Sequence, residues 1–157
     1  MRRVTPFLWY DDQAEEAANY YVSVFKNSKV TSVNRVDHRV MTVNFELDGQ
    51  PFIALNAGPH FKFTEAISFF ISCETQQEVD MFWDKLSDGG EKSMCGWLKD
   101  KYGLSWQVIP TALTKLMGDP DPVKSKAVLD AMLKMQKIVI ADLQHAHDRA
   151  GSAHASK

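Results

Sequence analysis

The stretch Pro6-Phe7-Leu8-Trp9-Tyr10-Asp11-Asp12-Gln13-Ala14-Glu15-Glu16-Ala17-Ala18-Asn19-Tyr20-Tyr21 decides the fold, because its pattern returns later in the chain. A shift of 62 residues without a gap sets Phe7 on Phe69, Glu16 on Glu78, Tyr20 on Phe82 and Tyr21 on Trp83. Similarity at a fixed offset marks a duplicated supersecondary unit. Each copy opens with aromatic and β-forming residues, Pro6 to Tyr10 and Ala66 to Cys73, as a buried strand requires. Each then changes period: Ala14, Ala17, Ala18, Tyr21, Val24 and Phe25 in the first copy, and Val79, Phe82, Trp83 and Leu86 in the second, fall three and four apart. That spacing gives a helix one apolar stripe, with which it covers one face of a sheet. Asp12 with Glu15 and Thr75 with Glu78 have the spacing of reciprocal N-terminal caps.

Outward from the first copy, three strands are predicted at Val30 to Val36, Met41 to Leu47 and Gln50 to Asn56, with Asp48-Gly49 as the hairpin turn between the last two. After the second copy, Gly89-Gly90 ends the helix, and strands are predicted at Lys92 to Leu98 and Leu104 to Ile109. A second shift, of 54 residues, sets Gly49 on Gly103, Phe52 on Trp106 and Leu55 on Ile109, so the second module is contracted in its middle. The chain therefore reads as α+β: two tandem βαβββ modules, about 4–57 and 66–110, paired in a domain over 1–110.

Beyond 110 the pattern turns helical. Asp119-Pro120-Asp121-Pro122 makes a rigid break, Pro122 suits a first helical turn, and helices are predicted over Val123 to Met135 and Ile138 to His147. Met117, Met132 and Met135 are adaptable apolar contacts for packing on the sheet or on a partner chain. The extension spans 111–149, and 150–157 has nothing to bury and is expected to fray as a flexible tail.

Composition narrows the partners. Lys+Arg number 18 against 20 Asp+Glu, a balance that does not suit a polyanion, so no nucleic acid is expected. No apolar run reaches the roughly 18 residues of a membrane span, and no secretory h-region follows Met1. With two cysteines only, Cys73 and Cys95, a reducing cytoplasmic setting is expected.

Thr5-Pro6-Phe7-Leu8-Trp9, Gln13-Ala14-Glu15-Glu16-Ala17-Ala18, Leu55-Asn56-Ala57-Gly58-Pro59-His60-Phe61-Lys62-Phe63-Thr64 and Cys95-Gly96-Trp97-Leu98-Lys99-Asp100-Lys101-Tyr102-Gly103-Leu104-Ser105-Trp106-Gln107 resemble the PhnB-like branch of the vicinal oxygen chelate superfamily. Glyoxalase I, bleomycin-resistance proteins and extradiol dioxygenases belong to that superfamily. The resemblance implies cupped mixed sheets and a homodimer. Relatives in this branch carry the label "3-demethylubiquinone-9 3-methyltransferase". A methyl donor of the usual kind needs a strand leading into a glycine-rich turn and helix, and no such cluster is present.

Metal-dependent members of the superfamily bind a divalent ion with side chains from the first and last strand of each module. The resemblance maps those positions onto Pro6, Ile53, Ser68 and Gln107, none of them His, Asp or Glu, and neighbours one residue away add no ligand cluster. No metal and no other cofactor is expected, and no catalytic residue is assigned. If those four residues face inward, alternation sends Leu8, Tyr10, Leu55 and Phe70 the same way, giving an apolar cup for a small organic molecule. Ser68 and Gln107 would orient the ligand and Trp97 would wall it. His60, Lys62 and Cys95 are further candidate polar contacts, while His38, His145, His147 and His154 are expected to face solvent. Three functions compete: a metal-free binding protein, a metal-independent enzyme using Ser68, Gln107, His60 or Cys95, and a dimeric interaction protein with no ligand. A filled interior would rule out the first two.

Overall fold

The computed structural model describes residues 3–155, with side chains through Ser152. It contains two compact units, Met1–Phe63 and Thr64–Lys157. The first holds β1 (Phe7–Tyr10), α1 (Ala14–Val24), β2 (Lys29–Val36), β3 (Arg39–Leu47) and β4 (Gln50–Asn56). The second repeats this with β5 (Phe69–Cys73), α2 (Gln76–Ser87), β6 (Glu91–Lys92), β7 (Trp97–Lys99) and β8 (Ser105–Pro110). It then adds α3 (Thr111–Met117), α4 (Pro122–Met132) and α5 (Ile140–Ala155).

The two sheets have equivalent strand orders, β1-β4-β3-β2 and β5-β8-β7-β6. In each, the first strand runs parallel to the last, which a crossover helix permits. The duplication predicted from the two offsets is thus present as two copies of one topology. Its contraction is also visible: the single strand expected over Lys92 to Leu98 is broken into β6 and β7, because Cys95 and Gly96 both take positive φ, 60° and 82°. Such a turn cannot continue a strand.

In the first unit Ala14, Ala17, Ala18, Tyr21 and Val24 form the buried stripe of α1. Small alanines let the helix sit close to the sheet, and Tyr21 lies against Phe45, which in turn stacks on Phe52 with centroids 5.3 Å apart. The cap differs from the expected one. Asp12 does not close α1; the Ala14 N–H donates to Asn56 Oδ1 at 2.8 Å, so a residue at the end of β4 performs that task. Thr75 does cap α2, its hydroxyl accepting the Glu78 N–H at 3.2 Å.

The second core contains Val79, Trp83 and Leu86 of α2 against Ile71, Trp106 and Val108, all buried. Burying each large side chain of this kind contributes about 1.5–3 kcal/mol. Asp100, only 2% exposed, organises the β7–β8 turn. Its carboxylate accepts from the Tyr102 and Leu104 N–H groups and from Trp106 Nε1, at 2.9, 3.1 and 2.9 Å.

The C-terminal helices belong to this second unit. Ile109, Leu113, Val128, Ile138 and Leu143 form a buried cluster that joins β8 to all three helices or their links. The Gln76 side chain donates to the Ile138 carbonyl at 3.0 Å and accepts the Ile140 N–H at 2.8 Å. Helices occur where the extension is expected, yet α5 runs to Ala155, past residue 150 where fraying is expected. Once nucleated, a helix gains one backbone hydrogen bond for each residue added, a term that the apolar pattern does not report. Residues 156–157 lie outside the described residues.

Candidate functional site

Strand alternation assigns each candidate side chain a face. In β1 Leu8 and Tyr10 are buried and Phe7 is exposed, and β1 pairs with β4 so that Phe7 sits beside Ile53 and Trp9 beside Leu55. Ile53 and Leu55 therefore share a face with Phe7 and Trp9. Leu8 and Tyr10, expected beside them, point the other way, toward α1, where the Tyr10 hydroxyl donates to the Tyr21 hydroxyl at 3.2 Å. This corrects the strand phase by one residue. Phe7-Leu8-Trp9-Tyr10 is apolar throughout, and an unbroken apolar run carries no signal of which half faces the helix.

His60 and Lys62 are exposed in the segment after β4. Trp9 Nε1 donates to the Gly58 carbonyl at 2.9 Å, and Phe61 sets its edge on Trp9.

The second unit gathers most of the other candidates. Phe70 pairs with Gln107 across β5 and β8, and Trp97 pairs with Gln107 across β7 and β8, so the three share one face. Gln107 Nε2 donates to Ser68 Oγ at 2.9 Å. Phe70, Cys95, Trp97, Gln107 and Ile109 line one side of a cavity of about 440 Å³. Leu113, Thr114, Met117, Gly118 and Met132 line the other. The first set comes from the sheet and its turn, the second from α3, its end and α4. Helical spacing alone assigns Met117 and Met132 to packing, and it does not show that they line a cavity with Gln107.

The lining of this cavity is mostly apolar, with the Gln107 amide, the Thr114 hydroxyl and the Cys95 thiol as its polar side chains. Among its lining residues only Cys95 is titratable, so nothing there compensates a buried charge. The Gln107 amide retains a carbonyl oxygen as acceptor, and Ser68, accepting from Gln107, has a hydroxyl proton to donate. Cys95 is half-buried at the turn. Cys73 is different: it is fully buried on the α2 side, and burial, helped by Glu78 and Glu74, pushes its thiol up to about 12.

The mapped metal positions do not fit a divalent ion. In the first unit Pro6 and Ile53 meet through the backbone, the Ile53 N–H donating to the Pro6 carbonyl at 3.0 Å. In the second, Ser68 and Gln107 are neutral and bonded to each other. Among the described residues no group of three or more His, Cys, Asp or Glu is placed to hold a metal. Neither strand-to-helix turn contains the glycine that would let the backbone approach a bound methyl donor closely.

His147, expected to face solvent, is held instead. Its side chain is 15% exposed, and its Nε2 lies 2.8 Å from Asp119 Oδ2. His38 and His145 are exposed, and the side chain of His154 lies outside the described residues.

A family described as 3-demethylubiquinone-9 3-methyltransferase matches residues 2–109. A Bacillus cereus PhnB protein with the same description is 35% identical over 69% of this chain and 99% of its own, with a TM-score of 0.66. This chain belongs to that family. Other solved structures that share the fold are more distant in sequence. A Pseudomonas aeruginosa protein is 16% identical over 70% of this chain and 98% of its own, with a TM-score of 0.58. An Arabidopsis thaliana protein is 17% identical over 68% and 96%, with a TM-score of 0.50. No curated protein matches the chain. The PhnB-family match stops within β8, so α3, α4 and α5 lie beyond it.

Proposed function

We propose that this PhnB-family chain binds a small, uncharged, largely aromatic molecule in the cavity of its second unit, and that binding itself is its activity. One observation carries the reading: Phe70, Trp97 and Ile109 line about 440 Å³ together with Met117 and Met132, and Gln107, whose amide is held by Ser68, is a polar group of that lining. That volume is within the range of sites for small organic ligands. Two aromatic rings and two thioethers favour an aromatic guest. The Gln107 amide favours one carbonyl or hydroxyl on it. The reading assigns this chain no methyl transfer and no resident metal, in keeping with the neutral donors at the mapped positions and the glycine-free strand-to-helix turns.

The test is native mass spectrometry of the full chain purified gently from cells. The expected result is a copurifying neutral small molecule, reduced in Gln107→Leu and absent in Trp97→Ala. Protein that carries no such molecule, and gives no calorimetric response to neutral aromatic probes, would count against the reading.

We propose a homodimer as well. Among the described residues β2 is an edge strand bonded to β3 alone, and its side chains are largely exposed on both faces, including Val33 and Val36. An exposed edge of this kind is a template for pairing with another copy. Sedimentation equilibrium should give twice the chain mass, with Val33→Lys lowering it; a wild-type monomer at working concentration ends this reading. The proposed setting is the cytoplasm, supported by two free cysteines, Cys73 and Cys95, and by the lack of any helix long and apolar enough to cross a membrane among the described residues. Fluorescence of a tagged full chain would test it.

A further inference from the structure

The match to the family ends at residue 109, and the Bacillus cereus relative is covered almost end to end by the part of the chain that matches it. Half of the cavity lining therefore comes from residues this chain has in addition. Those residues are firmly placed. The Cys95 and Gly96 N–H groups donate to the Met135 and Gln136 carbonyls, both at 2.8 Å, tying the link after α4 to the turn before β7. Met117 and Met132 each rest on the buried Ile109, Leu113, Val128, Ile138 and Leu143 cluster while also facing the cavity. The buried cluster behind them limits how far either thioether can retreat from an oversized guest.

We propose that Met117 and Met132 are specificity-determining residues, with which the C-terminal extension limits the second-unit cavity to compact aromatic ligands. The inference rests on the ligand site proposed above and adds what selects among ligands there. The sheet supplies recognition through Trp97 and Gln107; the extension supplies the size limit. An unbranched thioether fills space and contacts ring edges favourably, so two of them favour a flat guest of limited breadth. Removing either thioether to the β-carbon opens room on the helix side without touching the Gln107 amide.

The experiment is calorimetric titration of the full chain with phenol, naphthol and hydroxypyrene, which share one hydroxyl and differ in ring number. Wild-type protein should bind naphthol in preference to hydroxypyrene. Met117→Ala and Met132→Ala should each shift that ratio toward hydroxypyrene by about tenfold, the equivalent of about 1.4 kcal/mol. Met117→Phe should weaken naphthol more than phenol, and Met117→Leu, close in volume, should preserve the wild-type order. Denaturation midpoints check that each variant is folded. An unchanged ring-size order in the folded alanine variants, with binding still weakened in Gln107→Leu, overturns the inference and leaves the ligand site standing. If none of the three probes binds wild type or variants, the ligand-site reading fails and this inference with it.

Discussion

His147 Nε2 lies 2.8 Å from Asp119 Oδ2, joining α5 to the Asp119-Pro120-Asp121-Pro122 link between α3 and α4. Asp119 also accepts the Asp121 N–H at 2.9 Å, so its carboxylate holds its own link while receiving the imidazole. The Asp119 hydrogen bond raises the His147 pKa above its ordinary value of 6.5, with Asp148 adding to the effect and loss of solvent, then nearby Lys124, opposing it. Asp119 is shifted down from 3.8, first by the Asp121 amide and then by His147.

A group whose pKa is raised on folding contributes stability in full below its unfolded value, and that contribution is lost as pH rises through the folded value. For His147 the loss begins above about 6.5; the Asp119 contribution is lost only in acid, as pH falls below 3.8. Stability measured by urea denaturation across the neutral range should therefore fall with rising pH more steeply in wild type than in His147→Gln. Superimposable profiles would show that the contact carries no charge-dependent energy.

Asp100→Ala should destabilise the chain by about 2–4 kcal/mol, because three donors in the β7–β8 turn lose a charged acceptor at once. Asp100→Asn, which keeps the shape and an acceptor oxygen, should cost less. Chemical denaturation followed by tryptophan fluorescence reads both, and Trp106 reports the change directly through its indole N–H.

Gly96→Ala should cost about 3 kcal/mol, combining left-handed backbone strain of about 1–2 kcal/mol with overpacking of about 1–3 kcal/mol. Gly96 has φ of 82°, and a Cβ there would lie 2.8 Å from both the Val108 carbonyl oxygen and Ile109 Cδ1. A variant with the wild-type midpoint would show that the turn before β7 yields more easily than this packing implies.

The two thiols should differ in reactivity. Cys73 is fully buried with its thiol pushed up to about 12, whereas Cys95 is half-buried at the cavity wall. Only the thiolate attacks, so a disulfide reagent should modify Cys95 in the folded chain and reach Cys73 only after denaturation. Rapid modification of both in native protein would contradict the buried placement of Cys73.

Much of this architecture was legible in the chain itself. Phe7 on Phe69 and Tyr21 on Trp83 disclosed the duplication, and the alanine spacing of α1 disclosed its buried stripe. Asp48-Gly49 marked a hairpin turn, and both residues have positive φ, 48° and 78°. The strand phase of β1 was not legible, because all four of its residues are apolar. The cap on α1 was not legible either, since Asn56 reaches Ala14 from 42 residues away and Asp12 offered a nearer candidate.

The two modules, the kinds of element in each and the helical character of the extension are written in the chain. These follow from local periodicity, which each segment carries whatever it packs against. Long-range packing sets the rest: Leu8 and Tyr10 turn toward α1, His147 finds Asp119, and Met117 and Met132 line one open cavity with Trp97 and Gln107. Those outcomes depend on which distant surfaces bury one another, and the free energy of that burial belongs to the pair of surfaces rather than to either segment alone.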